Sequence, residues 1–484
     1  MNNSIINYVN ARLALWRMVP LTVMLTLAGC VALPPADKAP ARLQPTAADF
    51  APGNAGAWPA PTWWQQFGDT QLNTLEDLAL RNSPSMAVVQ ARVAQANATI
   101  GEVAASSGIN LAADASVTRE LYAAYSYYPP PIAGNTLNSG TLLLNFSYDF
   151  DWWGRHRSML AGALGRRAAA DAEAAAAASS LSTAVADVYF QWQTVSHRVQ
   201  LQRDIEAQRM HLVELEGRRV KAGISSGDNL TPLQAEAAAP HQTRVQLETQ
   251  RDQLYFQLKT LVGSAGFPAE LQSQGLPQAA TALPPALPLD LLARRADIAA
   301  SRERVQASLH DVEAARAAFY PDINLSAFIG LTSLEMSQLL HASSLTHGIT
   351  PALHLPIFDA GRLRAELNAE RAEAGLAVAQ YDQSVQTAVG EVNDAAVKLN
   401  GAIREQAALT EQLSARQRDL DSAQRRVRTG LADGREVARD RLLLLVLNDQ
   451  ELVRQQHSLS AQVDLIKALG GGYQTPAGAD VSQK

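Results

Sequence analysis

Catalysis by this chain would need nucleophiles, bases or metal ligands at workable spacings, and the sequence withholds them. Its nine histidines are scattered without one His-x-x-x-His pair, and its single cysteine, Cys30, has no second thiol for a metal site or a disulfide. No phosphate loop occurs, and the Asp and Glu pairs are those of any solvated helix. What Cys30 does offer is a thiol for covalent lipid. Residues 1–30 carry Arg12 and Arg17 and no acid, then the apolar run Met18–Leu27, then Leu27-Ala28-Gly29-Cys30. A basic start, a short apolar stretch and small residues before a cut describe a secretory signal over 1–29.

The Leu-Ala-Gly-Cys ending resembles a bacterial lipoprotein box, in which Cys30 becomes the lipidated first residue of the mature chain. The alternative is a transmembrane anchor with a chance cysteine, against which the shortness of the run counts. In lipoproteins generally an aspartate after the cysteine favours the inner membrane; Val31 stands here, which favours the outer. A formal charge of −6 gives no electrostatic case for nucleic acid. Beyond residue 30 no stretch approaches the ~20 apolar residues of a membrane helix. A membrane crossing would have to be made of strands.

Such strands are present, and they come twice. Leu142–Arg155 and Ala352–Arg362 each run an alternating segment into a long helix at Gly-Arg, and Gly361-Arg362 lies 207 positions beyond Gly154-Arg155. The same offset carries Arg218–Gly223 onto Arg425–Gly430. The chain therefore reads as a duplication: repeat 1 over 70–265, repeat 2 over 290–470, a proline-rich connector over 266–289, an anchored segment over 30–69 and a tail over 471–484. Repeat 1 predicts strands at about 108–122 and 139–151, a long helix over 154–220 and a return helix over 230–262. Repeat 2 predicts strands at about 322–332 and 348–358, the latter weakened by Pro351 and Pro356, a long helix over 361–428 and a return helix over 435–469. Helices over Leu72–Ala105 and Asp290–Phe319 lead up to the two strand pairs, and Pro240 should bend the first return helix.

Period-two segments of about ten residues suit outer-membrane barrel strands, although a soluble sandwich uses the same pattern. Trp152 and Trp153 at the strand base suit an interfacial aromatic belt. Four strands cannot close a barrel and open edges are not tolerated in lipid, so membrane strands here demand an oligomer.

With those residues in view, the chain resembles the TolC-like outer-membrane efflux channels, lipoprotein branch. The marks are Trp58–Leu80, Asp149–Arg155, Leu291–Ile298, Phe319–Leu325, Phe358–Arg362 and Ile466–Tyr473. The resemblance implies a fold that is mainly α with membrane β. The duplicated strand-pair and long-helix repeat forms, as a homotrimer, a shared barrel of ~12 strands on a long α-helical periplasmic barrel. It implies no enzyme activity, no cofactor beyond the lipid on Cys30, and a drug-exit duct. That duct is opened by a periplasmic adaptor joined to an inner-membrane pump. The turns Ala222-Gly223-Ile224 and Thr429-Gly430-Leu431 match the family's tip motif and would edge the adaptor grooves; ordinary helix-ending glycines are the alternative. Ala296 replaces the family's usual proline, which concerns only a helix start. Where many relatives carry a leucine-aspartate constriction, Arg435, Arg439 and Asp440 stand, so with Asp228 and Asp433 they are the gate candidates. A same-fold duct for secreted polypeptides and a coiled-coil scaffold lipoprotein without a pore are the rival readings.

Overall fold

The computed structural model describes residues 42–46, 49–50, 58–125, 127–277 and 294–474. Cys30, the signal and the second half of the connector fall outside them, as does the end of the tail. The chain divides into two compact units, Gln95–Arg167 with Glu303–Ala379, and Arg42–Ala94 with Ala168–Arg302 and Gln380–Lys484.

The first unit holds one sheet of β1 (Asn110–Leu121), β2 (Thr136–Phe150), β3 (Asp322–Ser333) and β4 (Leu345–His354), in that order and antiparallel throughout. Register decides its character. Ala113 opposes Leu144, which opposes Ile329, and Ala327 opposes Ile349. Opposed residues share a face, so alternation within each strand adds up across all four. Leu111, Leu142, Leu144, Phe146, Leu325 and Ile349 fall on one face; Asn110, Asp114, Asn145, Ser147, Ser326 and Thr350 fall on the other. On the polar face Asn145 donates to Asp114 at 2.7 Å. Leu143 and Phe328 are large exceptions there. The Phe328 ring lies over Gly348, where a Cβ would come within 2.7 Å of it, so glycine is what lets the aromatic lie flat.

Two strands depart from expectation. β2 starts at Thr136 because Thr136–Asn138 keep register with Arg119–Leu121. β4 ends at His354, before Pro356, and starts earlier, at Leu345. Pro351 lies within β4 opposite Leu325, on the last strand of this chain's sheet.

At each strand-to-helix corner a carboxylate takes the helix's unpaired N–H groups. Asp151 accepts from the backbone of His156 and Arg157, both at 3.0 Å, ahead of α3 (Arg155–Lys221). Asp359 accepts from Gly361 at 3.0 Å and Leu363 at 2.8 Å ahead of α6 (Arg362–Arg428). The start of α3 packs tightly on α5 (Ala296–Ala317): a Cβ at Gly165 would sit 3.1 Å from that of Ala307, and Arg166 pairs with Asp311 at 2.6 Å. Leu363 and Leu367 of α6 cluster with Val312 and Phe319.

In the second unit Thr70–Asn82 (α1) and Pro84–Ser106 (α2) replace the single helix expected over Leu72–Ala105; α2 runs on into the first unit. Proline forces the residue before it out of helical geometry, and Ser83 is extended at ψ 131°. Leu72, Leu75, Tyr189, Phe190, Leu258 and Ile466 are core residues with almost no exposure. The Tyr189 hydroxyl donates to the helix-capping Asp69 at 2.6 Å. Glu76 is wholly buried in the same unit. Burial pushes its carboxyl up to about 9, with the Ser182 hydroxyl opposing and the Asp77 charge adding.

The return helix α4 (Gly227–Val262) contains both Pro232 and Pro240. Pro240 leaves the Glu236 carbonyl without its helical donor, and Arg209 of α3 supplies one at 3.2 Å. Arg244 of α4 pairs with Glu206 at 3.1 Å, and Arg198 of α3 grips Asp449 of α7 (Gly434–Ala468) with two bonds, 2.9 and 3.0 Å.

Candidate functional site

Both long helices end the same way. At the first tip the Ile224 N–H reaches the Arg219 carbonyl at 2.9 Å and Gly223 reaches Val220 at 3.0 Å; at the second, Leu431 reaches Arg426 at 2.8 Å and Gly430 reaches Val427 at 3.0 Å. This Schellman closure needs a left-handed residue, and Gly223 and Gly430 have φ of 68° and 75°. A Cβ on either would meet open space, so within the chain positive φ, not crowding, explains the glycines. Between Gly223 or Gly430 and the return helix the duplicated positions Ser226 and Asp433 are the caps, accepting from Asp228 N–H at 3.1 Å and Arg435 N–H at 3.0 Å. Ala222 and Thr429 hold the closing helical bonds, to the Arg218 and Arg425 carbonyls. Ile224 and Leu431 are left 67% and 79% exposed at the two tips, a large apolar side chain on each turn.

The two tips are joined by charge. Arg435 bonds Glu216 at 2.8 Å and Asp433 at 3.0 Å, while Arg219 reaches Asp433 at 3.1 Å. Glu216, with 2% of its side chain exposed, also accepts from the Ser225 hydroxyl. Bonds from Ser225 and Arg435 hold the Glu216 carboxyl below its ordinary value, and Arg435 does the same for Asp433. The carboxylates in turn raise Arg435. Two acids and two bases therefore form a neutral, cross-linked quartet, alongside a separate Arg426–Glu436 pair.

Of the five gate candidates, Asp433 and Arg435 lie in this quartet. Asp228 instead accepts from Ser226 at 3.0 Å in its own helix's first turn; Arg439 is exposed, Asp440 half-buried, and neither joins the quartet. Sequence reading missed Glu216, Arg219 and Ser225. The duplication held the signal: its offset places Ala423, fully buried, where repeat 1 has Glu216. A buried acid in one copy against alanine in the other marks the position.

Residues Gly223-Ile224-Ser225-Ser226-Gly227 carry the letter spacing of a hydrolase nucleophile elbow, but that motif needs a strand-to-helix turn. Here it joins two helices, and Ser225 is occupied by Glu216 and by Asn229 at 3.1 Å. Among the described residues no group of three His, Cys, Asp or Glu could hold a metal ion. No described helix is long and apolar enough to cross a membrane.

At the other end of α3, Trp152 and Trp153 are exposed. Trp153 donates its ring N–H to the Pro321 carbonyl at 2.8 Å and stacks on Tyr320 at 4.6 Å, tying the base of repeat 1's strands to that of repeat 2's. They flank a cleft of ≈ 210 Å³ also lined by Arg155, His156, His354 and Arg362.

Comparison with known proteins places this geometry. The family model described as outer membrane efflux protein matches residues 75–264 and again 287–471. The chain is 32% identical over 462 residues to the multidrug resistance outer membrane protein MdtQ of Escherichia coli O6:H1, covering 93% of this chain and 97% of that one. With the multidrug resistance outer membrane protein MdtP of Escherichia coli K12 it shares 32% over 439 residues, 89% and 90% of the two chains. The outer-membrane channel OprN superposes with a TM-score of 0.79 at 25% identity, over 90% of this chain and 98% of that one. VceC, an outer membrane protein from Vibrio cholerae, superposes with a TM-score of 0.74 at 30% identity, over 86% and 100%. A model matched twice along one chain and relatives matched nearly end to end agree with a sheet and helix pair built in duplicate: the chain belongs to the outer membrane efflux protein family.

Proposed function

We propose that this protein is the exit duct of a tripartite drug-efflux system: a homotrimer anchored in the outer membrane of a Gram-negative bacterium by lipid on Cys30, extending into the periplasm. The observation that carries it is the sheet. One face is apolar and the other polar in continuous register, and β1 and β4 have no strand beyond them among the described residues. Lipid does not tolerate such edges, so the polar face lines water only if other copies complete the wall. Three copies give ~12 strands, within the range that encloses a pore.

The duct is passive. Energy for transport comes from an inner-membrane pump coupled through a periplasmic adaptor. The adaptor docks at the tips, where Gly223 and Gly430 turn the chain and Ile224 and Leu431 offer apolar contact. The Glu216–Arg219–Asp433–Arg435 quartet holds neighbouring tips together and is the element that docking must loosen. Planar-bilayer recording of the purified protein tests the reading. Discrete conductance is expected; its absence, even after Arg435, Arg439 and Asp440 are all replaced by alanine, would leave a scaffold without a pore. Photocrosslinkers at positions 223 and 430 in cells should capture a periplasmic adaptor.

A further inference from the structure

The outer loop of the second hairpin folds onto the sheet rather than away from it. After Ser333 the chain makes a bridge from Glu335 to Asn138 of β2 and turns through short helical turns at Met336–Gln338 and Ala342–Ser344. The Gln338 carbonyl accepts from Ser344 at 2.8 Å, which closes the loop on itself. Leu339 is buried and lies against Gly140. A Cβ on Gly140 would lie 2.7 Å from Leu339 Cδ2 and 3.0 Å from Met336 Sδ, so the absent side chain is the seat these two residues occupy.

Which face that seat belongs to follows from the register. Gly140 alternates with Leu142, Leu144 and Phe146 and opposes Val117 and Ser333, so its side-chain position is on the apolar face. A loop that covered a pore mouth from inside would pack on the polar face instead. Depth agrees. Gly140 is ten residues from Phe150 at the helix end of β2. At ~3.4 Å per residue and a tilt of ~40° that is ~26 Å along the membrane normal, the outer rim of an apolar band ~25 Å tall. Composition agrees as well: between Leu334 and Leu345 Glu335 is the one charged residue, while Leu334, Met336 and Leu340 are exposed, Leu340 by 80%.

We infer that the loop Leu334–Ser344 is a lipid-facing cuff that sits in the outer leaflet, with Leu340 and Met336 among acyl chains. This rests on the reading of the sheet as a membrane wall, since continuity with that apolar face is what supplies lipid as the occupant. The cuff fixes the outer end of β2 and β3 at the bilayer surface and leaves the mouth to the first hairpin's loop.

The test uses the full-length protein reconstituted in phosphatidylcholine–phosphatidylglycerol vesicles, with bimane attached at Leu340→Cys, Leu144→Cys or Tyr125→Cys, and an unlabelled-parent control for Cys30. Brominated phosphatidylcholine quenches from the acyl region and iodide from water. Leu144 is mid-sheet on the apolar face, and Tyr125 is fully exposed in the first loop. The expected result is at least threefold stronger quenching by bromolipid than by iodide at positions 340 and 144, and the reverse at 125. Iodide-dominated quenching at 340 with lipid-dominated quenching at 144 overturns the cuff and leaves the wall standing. Iodide-dominated quenching at 144 overturns the wall itself. Adding Gly140→Val should evict Leu339 and halve or more the lipid quenching at 340 while that at 144 stays; an unchanged signal at 340 counts against Gly140 as the seat.

Discussion

Glu216 is the residue on which the tip quartet turns, since it is buried and accepts from both Ser225 and Arg435. Removing its charge should free Arg435 and slacken both tips. Single-channel recording of Glu216→Gln is expected to show open probability raised severalfold over the parent, and Glu216→Asp should retain part of the closure. Acid should act in the same direction. Glu216 and Asp433 are held below their ordinary values of 4.5 and 3.8, so the tip bonds they accept are fully present above that range and are lost as pH falls below it. Open probability is expected to climb only as pH falls below those ordinary values in the parent, and far less in Glu216→Gln. Glu76 predicts the opposite slope for stability. Its folded value is about 9 against an ordinary 4.5, so folding requires a proton to be held across that window and stability declines as pH rises through it. Thermal unfolding in detergent should show Glu76→Gln flattening the midpoint's dependence between pH 5 and pH 9.

The elements are set by small features at their ends and contacts. Gly165 allows α3 to meet Ala307 of α5 at near backbone distance. Gly165→Val forces the helices apart, and overpacking of this kind costs about 1–3 kcal/mol, which should appear as a lowered denaturation midpoint. Gly223→Ala asks alanine to hold φ 68° at a helix end where space is not limiting. Left-handed geometry costs about 1 kcal/mol for a residue with Cβ, so the tip should fray; faster amide exchange over 219–226 measures it. The helices themselves were plain in the sequence, because more than sixty residues without proline between Gly154 and Arg219 leave little else possible. Proline was harder to read. Pro84 breaks a helix, whereas Pro240 stays inside one because Arg209 from another helix covers the orphaned carbonyl. Nothing within the 230–262 segment reveals that donor.

For the whole molecule the claim is closure by copies. Light scattering of the detergent-extracted protein should give three chains per particle, and a monomeric particle would defeat the duct. Family membership and the two-unit, duplicated architecture stand without that result, because they rest on the matched repeats and on the sheet and helices of one chain.

By itself the sequence determined the doubling, the alternation of the strands and the long helices. All of these are periodicities or residue counts along the chain, and local geometry reads them directly. Only the tertiary structure decided that the four strands share one register, that Arg435 meets Glu216 across 219 positions of sequence, and that the loop after β3 lies on the apolar face. Each depends on which distant side chain fills a given space, and a one-dimensional pattern carries no record of that.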